Sequence, residues 1–333
     1  MSIARDAVAP YAPSVFLDFL QIAIGLAVLM GGAWLTVRSA ATLAGSFGLS
    51  PVIIGATVVA FGTSAPEFVV SLFAATRDSS GLAVGNVLGS NVANVALVLG
   101  VSALVAPMTV HWRLLRWEMP VLAGATVATV VFAADGNVSQ LEGLGMFAGL
   151  VAFIVISPRL FPDAAAATQD EVSEVTRKIA ATLRARGAEG GLLVVGLAGL
   201  TLGADQAVRG AVSIAEQAGI SETAIGATIV ATGTSLPELA TSVAAARIKE
   251  HAIAVANVVG SNVFNLLGVI GLTSGLVSLD VGQDLYQFEL PALVLSTLIL
   301  LPLAWPRYRI GRIEGAVLLV LYIGFVATVL ARA

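Results

Sequence analysis

The chain has 333 residues, of which 57% are hydrophobic and only 11% are charged, with a formal net charge of −4 and a mean hydropathy of +0.94. Soluble domains carry about 25% charged residues, so this composition excludes a water-soluble protein and predicts a membrane protein. The chain has no cysteine, which excludes disulfides, thiolate metal sites and cysteine-based catalysis.

Ten apolar segments follow one another along the chain, and segments of this kind cross about 30 Å of hydrocarbon as helices. They cover residues 17–37, 40–75, 82–105, 120–134, 139–157, 189–210, 222–246, 252–279, 289–306 and 313–331. The predicted fold is an all-α polytopic membrane protein with ten transmembrane helices. The first segment is interpreted as a retained span rather than a signal peptide. Residues 158–188 form a polar loop, with a short amphipathic helix predicted at 170–186.

Basic residues are unevenly divided between alternate loops. If the N-terminus lies outside, 13 of the 17 Lys and Arg residues fall on the inner side. The outer side keeps Arg5, Arg77, Arg209 and Arg332. The positive-inside rule therefore predicts that both termini lie outside and that the 158–188 loop is cytoplasmic.

The chain contains an internal repeat at a constant offset of 171 residues. Residues 50–100 and 221–271 align without a gap, with 26 of 51 positions identical. The organisation predicted from this repeat is a first five-span unit at 17–157, the loop, and a second five-span unit at 189–331. Because five is odd, the second unit enters the membrane in the opposite sense. Inverted repeats of this kind are typical of transporters that alternate between two facing states.

Each repeat carries a glutamate just after a Gly-Thr-Ser-x-Pro sequence inside an apolar segment, at 62–67 and 233–238. Proline has no N–H and its ring disturbs the preceding turn, so the helix is expected to break there. The sequence predicts broken helices 2 and 7, with unpaired carbonyls near 60–62 and 231–233 that a cation could contact. Glu67 and Glu238 then fall in the first turn of the second half-helix, where the helix dipole favours a carboxylate.

No basic residue lies between Ser39 and Thr76, or between Gly210 and Ala246. A carboxylate at the bilayer centre costs about 2.5–3.5 kcal/mol on the insertion scale. Glu67 and Glu238 must therefore be protonated or balanced by a metal ion. Two such costs at matching positions favour a functional site that moves a cation over a structural role.

A second motif repeats as Gly-Ser-Asn-x-x-Asn at 89–94 and 260–265. Ser90 and Asn94 are four residues apart and share one helix face, as do Ser261 and Asn265; Asn86 and Asn257 lie one turn earlier. With the threonines and serines of the first motif, these side chains offer neutral oxygens around two carboxylates. Hard cations such as Ca²⁺ and Na⁺ prefer such an all-oxygen shell. The alternative for a single Asn or Ser is a helix–helix contact.

Other charged residues are interpreted as structural. Asp205 and Arg209 are one turn apart and are expected to pair with each other. Glu118 and Glu289 each precede a proline at the start of a span and are expected to cap helix N-termini. The chain carries no phosphate loop, nucleophile elbow or nucleic-acid patch.

The paired G-T-S-x-P-E and G-S-N-x-x-N motifs resemble the two alpha repeats of the Ca²⁺:cation antiporter superfamily, and most closely its prokaryotic Na⁺/Ca²⁺ exchangers. The resemblance covers the whole chain. It implies that ions bind midway through the membrane and that spans 1 and 6 slide across the other eight. It implies no cofactor, because Ca²⁺ and Na⁺ are the transported substrates, and a single chain as the functional unit.

The resemblance also implies which residues bind the ions. Ca²⁺ would meet the carboxylates of Glu67 and Glu238 and backbone oxygens of Thr63 and Thr234. The Na⁺ sites would add six residues, and two amides would complete the central ring: Ala60, Ser64, Ser90, Ala231, Ser235 and Ser261, then Asn94 and Asn265. Some relatives carry Asp at the position of Asn265, and the amide here argues against K⁺ co-transport.

The function predicted from the sequence is a secondary active antiporter of the cell inner (plasma) membrane that exchanges Ca²⁺ for Na⁺. The nearest alternative is a Ca²⁺/H⁺ exchanger that uses the same glutamates as proton carriers. The hydroxyls of Ser90 and Ser261 favour Na⁺ over protons. A passive cation channel disagrees with the inverted repeat, and an intramembrane hydrolase lacks a nucleophile–base pair. We therefore expect no enzymatic activity and no nucleic-acid partner.

Overall fold

The computed structural model describes residues 15–47, 49–160, 183–218, 231–283, 285–304 and 308–332. Apart from four two-residue strands and the connecting turns, these residues are helical, which confirms the predicted all-α class. The helices in chain order are α1 (Val15–Phe47), α2 (Pro51–Thr63), α3 (Ala65–Ala75), α4 (Ser80–Val105), α5 (Leu114–Asp135), α6 (Gln140–Leu160), α7 (Leu183–Gln217), α8 (Ala231–Thr234), α9 (Leu236–Arg247), α10 (His251–Leu276), α11 (Leu290–Ala304) and α12 (Arg312–Arg332).

Within the described ranges, seven helices are long and apolar enough to cross a membrane, and an eighth is counted if the bent pair α2–α3 is one span. These eight correspond to the predicted segments 1 to 6, 8 and 10. The predicted segment 222–246 begins outside the described residues and continues into α8 and α9. In the region of segment 289–306 a π-helical turn, Leu285–Glu289, leads directly into α11, and the apolar helical stretch Leu285–Leu300 is shorter than the spans above. The chain is thus a membrane protein with several apolar spans.

Two helix boundaries predicted from the sequence are wrong. The first segment was expected to end near Arg38, but α1 continues to Phe47, so residues 40–47 do not belong to the second segment. The Arg38 guanidinium lies over the Trp34 ring at 5.1 Å, and this contact accommodates the charge without ending the helix. The helix ends shortly before Ser50, whose side chain caps the next helix by accepting from the N–H of Ile53.

The bounds predicted for the loop at 158–188 also differ from the structure. Helix α6 runs to Leu160 and α7 begins at Leu183, so both ends of the predicted loop are helical. Most of the amphipathic helix predicted at 170–186 lies outside the described residues, and its last four residues belong to α7. Arg186 explains part of this extension, because its Nη2 donates to the carbonyl of Ser46 at 2.6 Å on α1.

Helices α1 and α7 pack against each other in antiparallel fashion through glycines. A Cβ on Gly25 would meet the Gly203 carbonyl at 2.8 Å, and a Cβ on Gly32 would meet the Gly196 carbonyl at the same distance. Small residues allow such close backbone contact between membrane helices. Gly25 and Gly196 are repeat partners at the 171-residue offset, as are Gly32 and Gly203. The repeat therefore relates the Gly25–Gly203 contact to the Gly32–Gly196 contact, so the two helices meet in a pseudosymmetric way.

The four short strands form two antiparallel pairs that connect distant parts of the chain. Strand β1 (Met108–Thr109) pairs with β4 (Arg309–Ile310), and β2 (Asn137–Val138) pairs with β3 (Leu279–Asp280). Each pair joins a loop of the first half to a loop of the second half. The loops joined in this way are those that the positive-inside rule places on the same side of the membrane.

The helices that carry the repeated motifs form the centre of the structure. In the most apolar window of α10, 94% of the residues are buried, compared with 11% in α12. Helices α4 and α10 also contain π-helical turns at matching positions, Asn94–Val98 and Phe264–Ile270. Such turns are rare in proteins, but those that occur are frequently found at functional sites. The sequence reading did not predict them.

Candidate ion-binding site

The helix break predicted in the first motif is present. Helices α2 and α3 meet at Ser64 with a bend of 45°, and Ser64 has left the helical conformation with ψ of 5°. Pro66 lies in the first turn of α3, and Glu67 follows it there. In the second motif, Ser235 adopts nearly the same conformation between α8 and α9, with ψ of 4°, and Glu238 lies in the first turn of α9.

The break leaves fewer unpaired carbonyls than the sequence predicted. The carbonyl of Ala60 accepts from the N–H of Ser64 at 3.0 Å and from the hydroxyl of Thr63 at 3.3 Å. In the second motif the carbonyl of Thr232 accepts from the N–H of Ser235 at 3.2 Å. The prediction that the Ala60 carbonyl is unpaired is therefore wrong. The reason is that Pro66 removes only its own N–H, while the N–H two residues earlier can still close a turn.

Glu67 and Glu238 are both completely buried, and they come together from the two halves of the chain. The hydroxyl of Ser64 donates to Oε1 of Glu238 at 3.1 Å, which links the first break to the second glutamate. The hydroxyls of Thr63 and Ser261 also lie near the Glu238 carboxylate. The two carboxylates are near enough to interact electrostatically. The pair predicted from the repeat is thus assembled in one place.

The side chains around Glu67 follow the same pattern with different partners. Thr234, from the second break, and Ser90, from α4, lie near its carboxylate. Neither Glu67 oxygen accepts a well-formed hydrogen bond, although both are buried. Thr63 extends the network by hydrogen bonding to Ser261 at 3.4 Å and to the side-chain carbonyl of Asn257 at 3.3 Å.

A third buried glutamate shows how this chain neutralises a structural carboxylate. Glu118 accepts from Nε of Arg113 at 3.1 Å, and both side chains are completely buried. Nη2 of Arg113 also donates to the carbonyl and the hydroxyl of Ser157. The expectation that Glu118 caps a helix is wrong, since it makes no side-chain cap hydrogen bond and pairs with Arg113 instead. Within the described parts of the chain, no salt bridge of this kind involves Glu67 or Glu238.

Buried polar atoms without hydrogen bonds are concentrated in the two motifs. Burying such an atom unpaired costs about 1–3 kcal/mol, and more if it is charged, so a cluster of them indicates a place where a ligand supplies the missing contacts. The motif atoms in this state are both oxygens of Glu67, Oε2 of Glu238, the hydroxyls of Ser90 and Ser235, the side-chain oxygens of Asn91 and Asn262, and the side-chain oxygens and nitrogens of Asn94 and Asn265. Asn94 and Asn265 each begin or lie within a π-helical turn.

Two predicted oxygen donors, Asn86 and Asn257, have a positioning role. Asn86 donates to the hydroxyl of Ser71 at 3.0 Å and to the carbonyl of Glu67 at 3.3 Å. Asn257 donates to Ser242 at 3.2 Å in the same way. Ser71 and Ser242 are repeat partners, and each hydroxyl donates in turn to the following helix. These contacts fix the helices that carry the glutamates against α4 and α10.

The sequence reading missed Thr241. This residue follows Glu238 by three positions, so it shares a helix face with the carboxylate. It is completely buried, and its hydroxyl has no hydrogen-bond partner. The three-residue spacing from Glu238 could have indicated Thr241. The first half has Val70 at the matching position, so Thr241 is not one of the repeated residues from which the site was predicted. Of the remaining site residues, Ala60 is buried and Ala231 begins helix α8.

The donor set suits a hard cation. Within the described residues there is no cluster of three or more His, Cys, Asp or Glu side chains that could hold a metal. The site instead offers two carboxylates surrounded by hydroxyl, amide and backbone oxygens. Ca²⁺ accepts six to eight oxygen ligands of this mixed kind in flexible geometry. The absence of nitrogen and sulfur donors from these motifs disfavours zinc and copper.

Comparison with known proteins agrees with this geometry. The family model described as "Sodium/calcium exchanger protein" matches residues 17–158 and again residues 189–331. This chain belongs to the sodium/calcium exchanger family. The family consists of transporters of Ca²⁺ and other cations.

Individual relatives match over most of their length. The chain is 36% identical to the inner membrane protein YrbG of Escherichia coli over 85% of this chain and 87% of that protein. It is 33% identical to the sodium/calcium exchanger MaX1 of Methanosarcina acetivorans over 93% and 98% of the two chains. A solved structure of the sodium-calcium exchanger NCX_Mj matches with a TM-score of 0.80 and 31% identity, covering 94% of this chain and 98% of that one.

Proposed function

We propose that this exchanger moves Ca²⁺ out of the cell in return for Na⁺, across the inner (plasma) membrane of a prokaryote, by alternating access. The observation that carries the proposal is the meeting of Glu67 and Glu238, both buried, each bordered by hydroxyls of the opposite half. One Ca²⁺ balances two carboxylates, and Na⁺ ions can do the same. Ions that compete for one pair of charges are thereby coupled.

The proposed architecture is ten spans in two inverted units, 17–157 and 189–331, with a single chain as the functional unit. Three features support it. Helices α1 and α7 are antiparallel partners, each strand pair joins two loops that are expected on the same side of the membrane as each other, and the family model matches each unit separately. The proposed orientation places both termini outside and the 158–188 loop in the cytoplasm.

The proposed motion is a displacement of α1 and α7 together. Their glycine contacts make one closely packed pair, and the pair is joined at both ends. Arg186 bonds to Ser46 at one end, and Gln217 donates to Asp18 at 2.7 Å at the other. An empty site with two uncompensated carboxylates resists exposure to hydrocarbon. Ion loading removes that charge and permits the change of state.

Na⁺ rather than H⁺ as the coupling ion is supported by the hydroxyls of Ser90 and Ser261. Both are buried in the site, and Ser261 contacts Thr63. Protons would need only the carboxylates, whereas Na⁺ needs several oxygens for each ion. A Ca²⁺/H⁺ exchanger is the alternative outcome of the test below.

The test is ⁴⁵Ca²⁺ uptake into proteoliposomes under an outward Na⁺ gradient, an outward H⁺ gradient, or neither. We expect uptake only with the Na⁺ gradient, and its loss in Glu67→Gln and in Glu238→Gln. Glu216→Gln, at an exposed glutamate on α7, is the matched control and should transport normally. Uptake driven only by protons would overturn the choice of coupling ion. Normal transport in either site variant would remove that residue from the site.

A further inference from the structure

Away from the ion site, an apolar groove of about 310 Å³ lies between α4, α11 and α12. This volume is within the range of about 300–1,000 Å³ that is usual for small-molecule sites. Val92, Val95 and Ala96 of α4 form its floor, and Leu295 and Leu321 belong to its walls. The floor residues flank Asn94, so the groove backs directly onto the π-helical turn that carries this site residue.

The two repeats differ in sequence at the floor of the groove. The repeat partner of Ala96 is Leu267, a much larger side chain. Leu267 reaches the matching surface of α6, where its Cδ1 lies 3.8 Å from the place that a Cβ on Gly149 would occupy. Beside α6, Leu267 therefore occupies space that the smaller Ala96 leaves open beside α11 and α12. An inverted repeat places the two surfaces towards opposite sides of the membrane, so the open groove faces one side only.

The groove ends in two stacked aromatic rings and a positive charge. Phe288 and Phe325, which both line it, stack with centroids 5.6 Å apart and planes 8° apart. The guanidinium of Arg332, at the end of α12, lies over the Phe288 ring at 5.1 Å. Arg332 is exposed. The opening thus combines an apolar channel, which suits the acyl chain of a phospholipid, with an accessible cation, which suits its phosphate.

We propose that this groove binds one acyl chain of a phospholipid whose phosphate contacts Arg332. Lipid tails are about as apolar as leucine, so an apolar groove gains no hydrophobic advantage over bulk lipid. Preference for a bound lipid must come from the fit of the chain and from the charge at the opening. Arg332 supplies that charge, since basic residues near the membrane surface attract anionic headgroups. The proposal depends on the membrane location of α11 and α12 and not on which ion the protein transports.

The test uses a phosphatidylglycerol probe with a diazirine in one acyl chain, added to the protein in phosphatidylcholine nanodiscs. After photolysis, mass spectrometry identifies the labelled peptides. We expect labelling concentrated on α4, α11 and α12. Gly324→Leu should reduce it at least fivefold, because nothing lies within 4 Å of a Cβ there and the leucine would project into open groove space. The control is Gly145→Leu on α6, an equally open glycine, which should leave it unchanged.

Two results would overturn the proposal: even labelling of all lipid-facing helices, or undiminished labelling of the groove in Gly324→Leu. Thr328→Leu, which also lines the groove, serves as a second filling variant if Gly324→Leu does not fold. Arg332→Gln tests the headgroup contact. It should lower labelling by the phosphatidylglycerol probe at least threefold and leave labelling by a diazirine diacylglycerol, which lacks phosphate, unchanged. Undiminished labelling by the phosphatidylglycerol probe in this variant, or the same loss of labelling with both probes, would refute the phosphate contact.

Discussion

The hydroxyl of Ser64 donates a 3.1 Å hydrogen bond to Oε1 of Glu238, so the helix break of the first half directly holds the glutamate of the second. The reverse contact is missing, because the hydroxyl of Ser235 is buried without a partner. The two breaks have the same backbone conformation, yet the ion-free site is asymmetric. The asymmetry leads to different expectations for the two serines.

We expect Ser64→Ala to destabilise the ion-free protein and Ser235→Ala to leave it nearly unchanged. The first removes a hydrogen bond to a buried carboxylate, which costs about 1.5–3 kcal/mol, whereas the second removes a hydroxyl that has no bond to lose. The measurement is thermal unfolding in choline buffer with EGTA. Both variants should bind Na⁺ more weakly, since both remove an oxygen of the proposed Na⁺ sites. Equal stability of the two variants without ions would contradict the asymmetry.

Ion removal should itself lower stability, because in the proposed site the cation contacts polar atoms that otherwise have no hydrogen-bond partner. A ligand present at 100 times its dissociation constant stabilises the native state by about 2.7 kcal/mol. We expect Ca²⁺ to raise the unfolding temperature of the wild type, and Na⁺ to do so at higher concentration. Glu67→Gln and Glu238→Gln should abolish the Ca²⁺ response, and Glu216→Gln should keep it. A Ca²⁺ response that survives in both site variants would place the ion elsewhere.

Most of the site could be predicted from the sequence because the repeat marks it twice. A buried carboxylate after a proline break, without a basic residue nearby, limits the explanations to a proton or a cation. The sequence could not predict that Asn86 and Asn257 are occupied in holding Ser71 and Ser242. Those bonds depend on which helix faces which, and spacing along one helix does not contain that information.

Helix ends were predicted less well than helix identity. The first segment was predicted to end at residue 37, just before Arg38, but α1 continues to Phe47 with the Arg38 guanidinium over the Trp34 ring. The pairing of Glu118 with Arg113 was missed for a related reason, since a π-helical turn at Leu114–Glu118 alters which side chains meet. Helix ends and side-chain pairs of this kind depend on tertiary contacts, which neither hydrophobic periodicity nor a sequence motif reveals.

One hydrogen bond beside the second helix break has no counterpart in the first half of the chain. The hydroxyls of Thr232 and Tyr322 are 3.1 Å apart and join α8 to α12, whereas the first half has Phe61 in place of Thr232. We expect Tyr322→Phe to slow Ca²⁺ uptake about two- to tenfold. This is the factor produced by losing one hydrogen bond with a net free energy of about 0.5–1.5 kcal/mol. Tyr286→Phe, at an exposed tyrosine, is the control.

A double-mutant cycle identifies the bond itself. Thr232→Val should have a similar effect to Tyr322→Phe, and the double variant should be no slower than either single variant, because the second change has no bond left to remove. Thermal unfolding of all three variants checks that the effect is not general destabilisation. Additive losses in the double variant would show that the two residues act independently.

One of the close backbone contacts between α1 and α7 gives a prediction with an internal control. A Cβ on Gly32 would lie 2.7 Å from the backbone nitrogen of Leu200, so the helices must separate to admit it. The adjacent Gly31 is exposed, with nothing within 4 Å of such a Cβ. Overpacking costs about 1–3 kcal/mol, while replacing glycine by alanine inside a helix is favourable by about 1 kcal/mol.

We therefore expect Gly32→Ala to lower the unfolding temperature and the transport rate, and Gly31→Ala to preserve or slightly raise both. Gly203→Ala should behave like Gly32→Ala, because its Cβ would meet the backbone nitrogen of Leu29 on α1. If the two helices move as one unit, a variant that separates them disturbs transport more than a lipid-facing change of the same size. Normal stability and transport in both Gly32→Ala and Gly203→Ala would mean that α1 and α7 do not need this close contact.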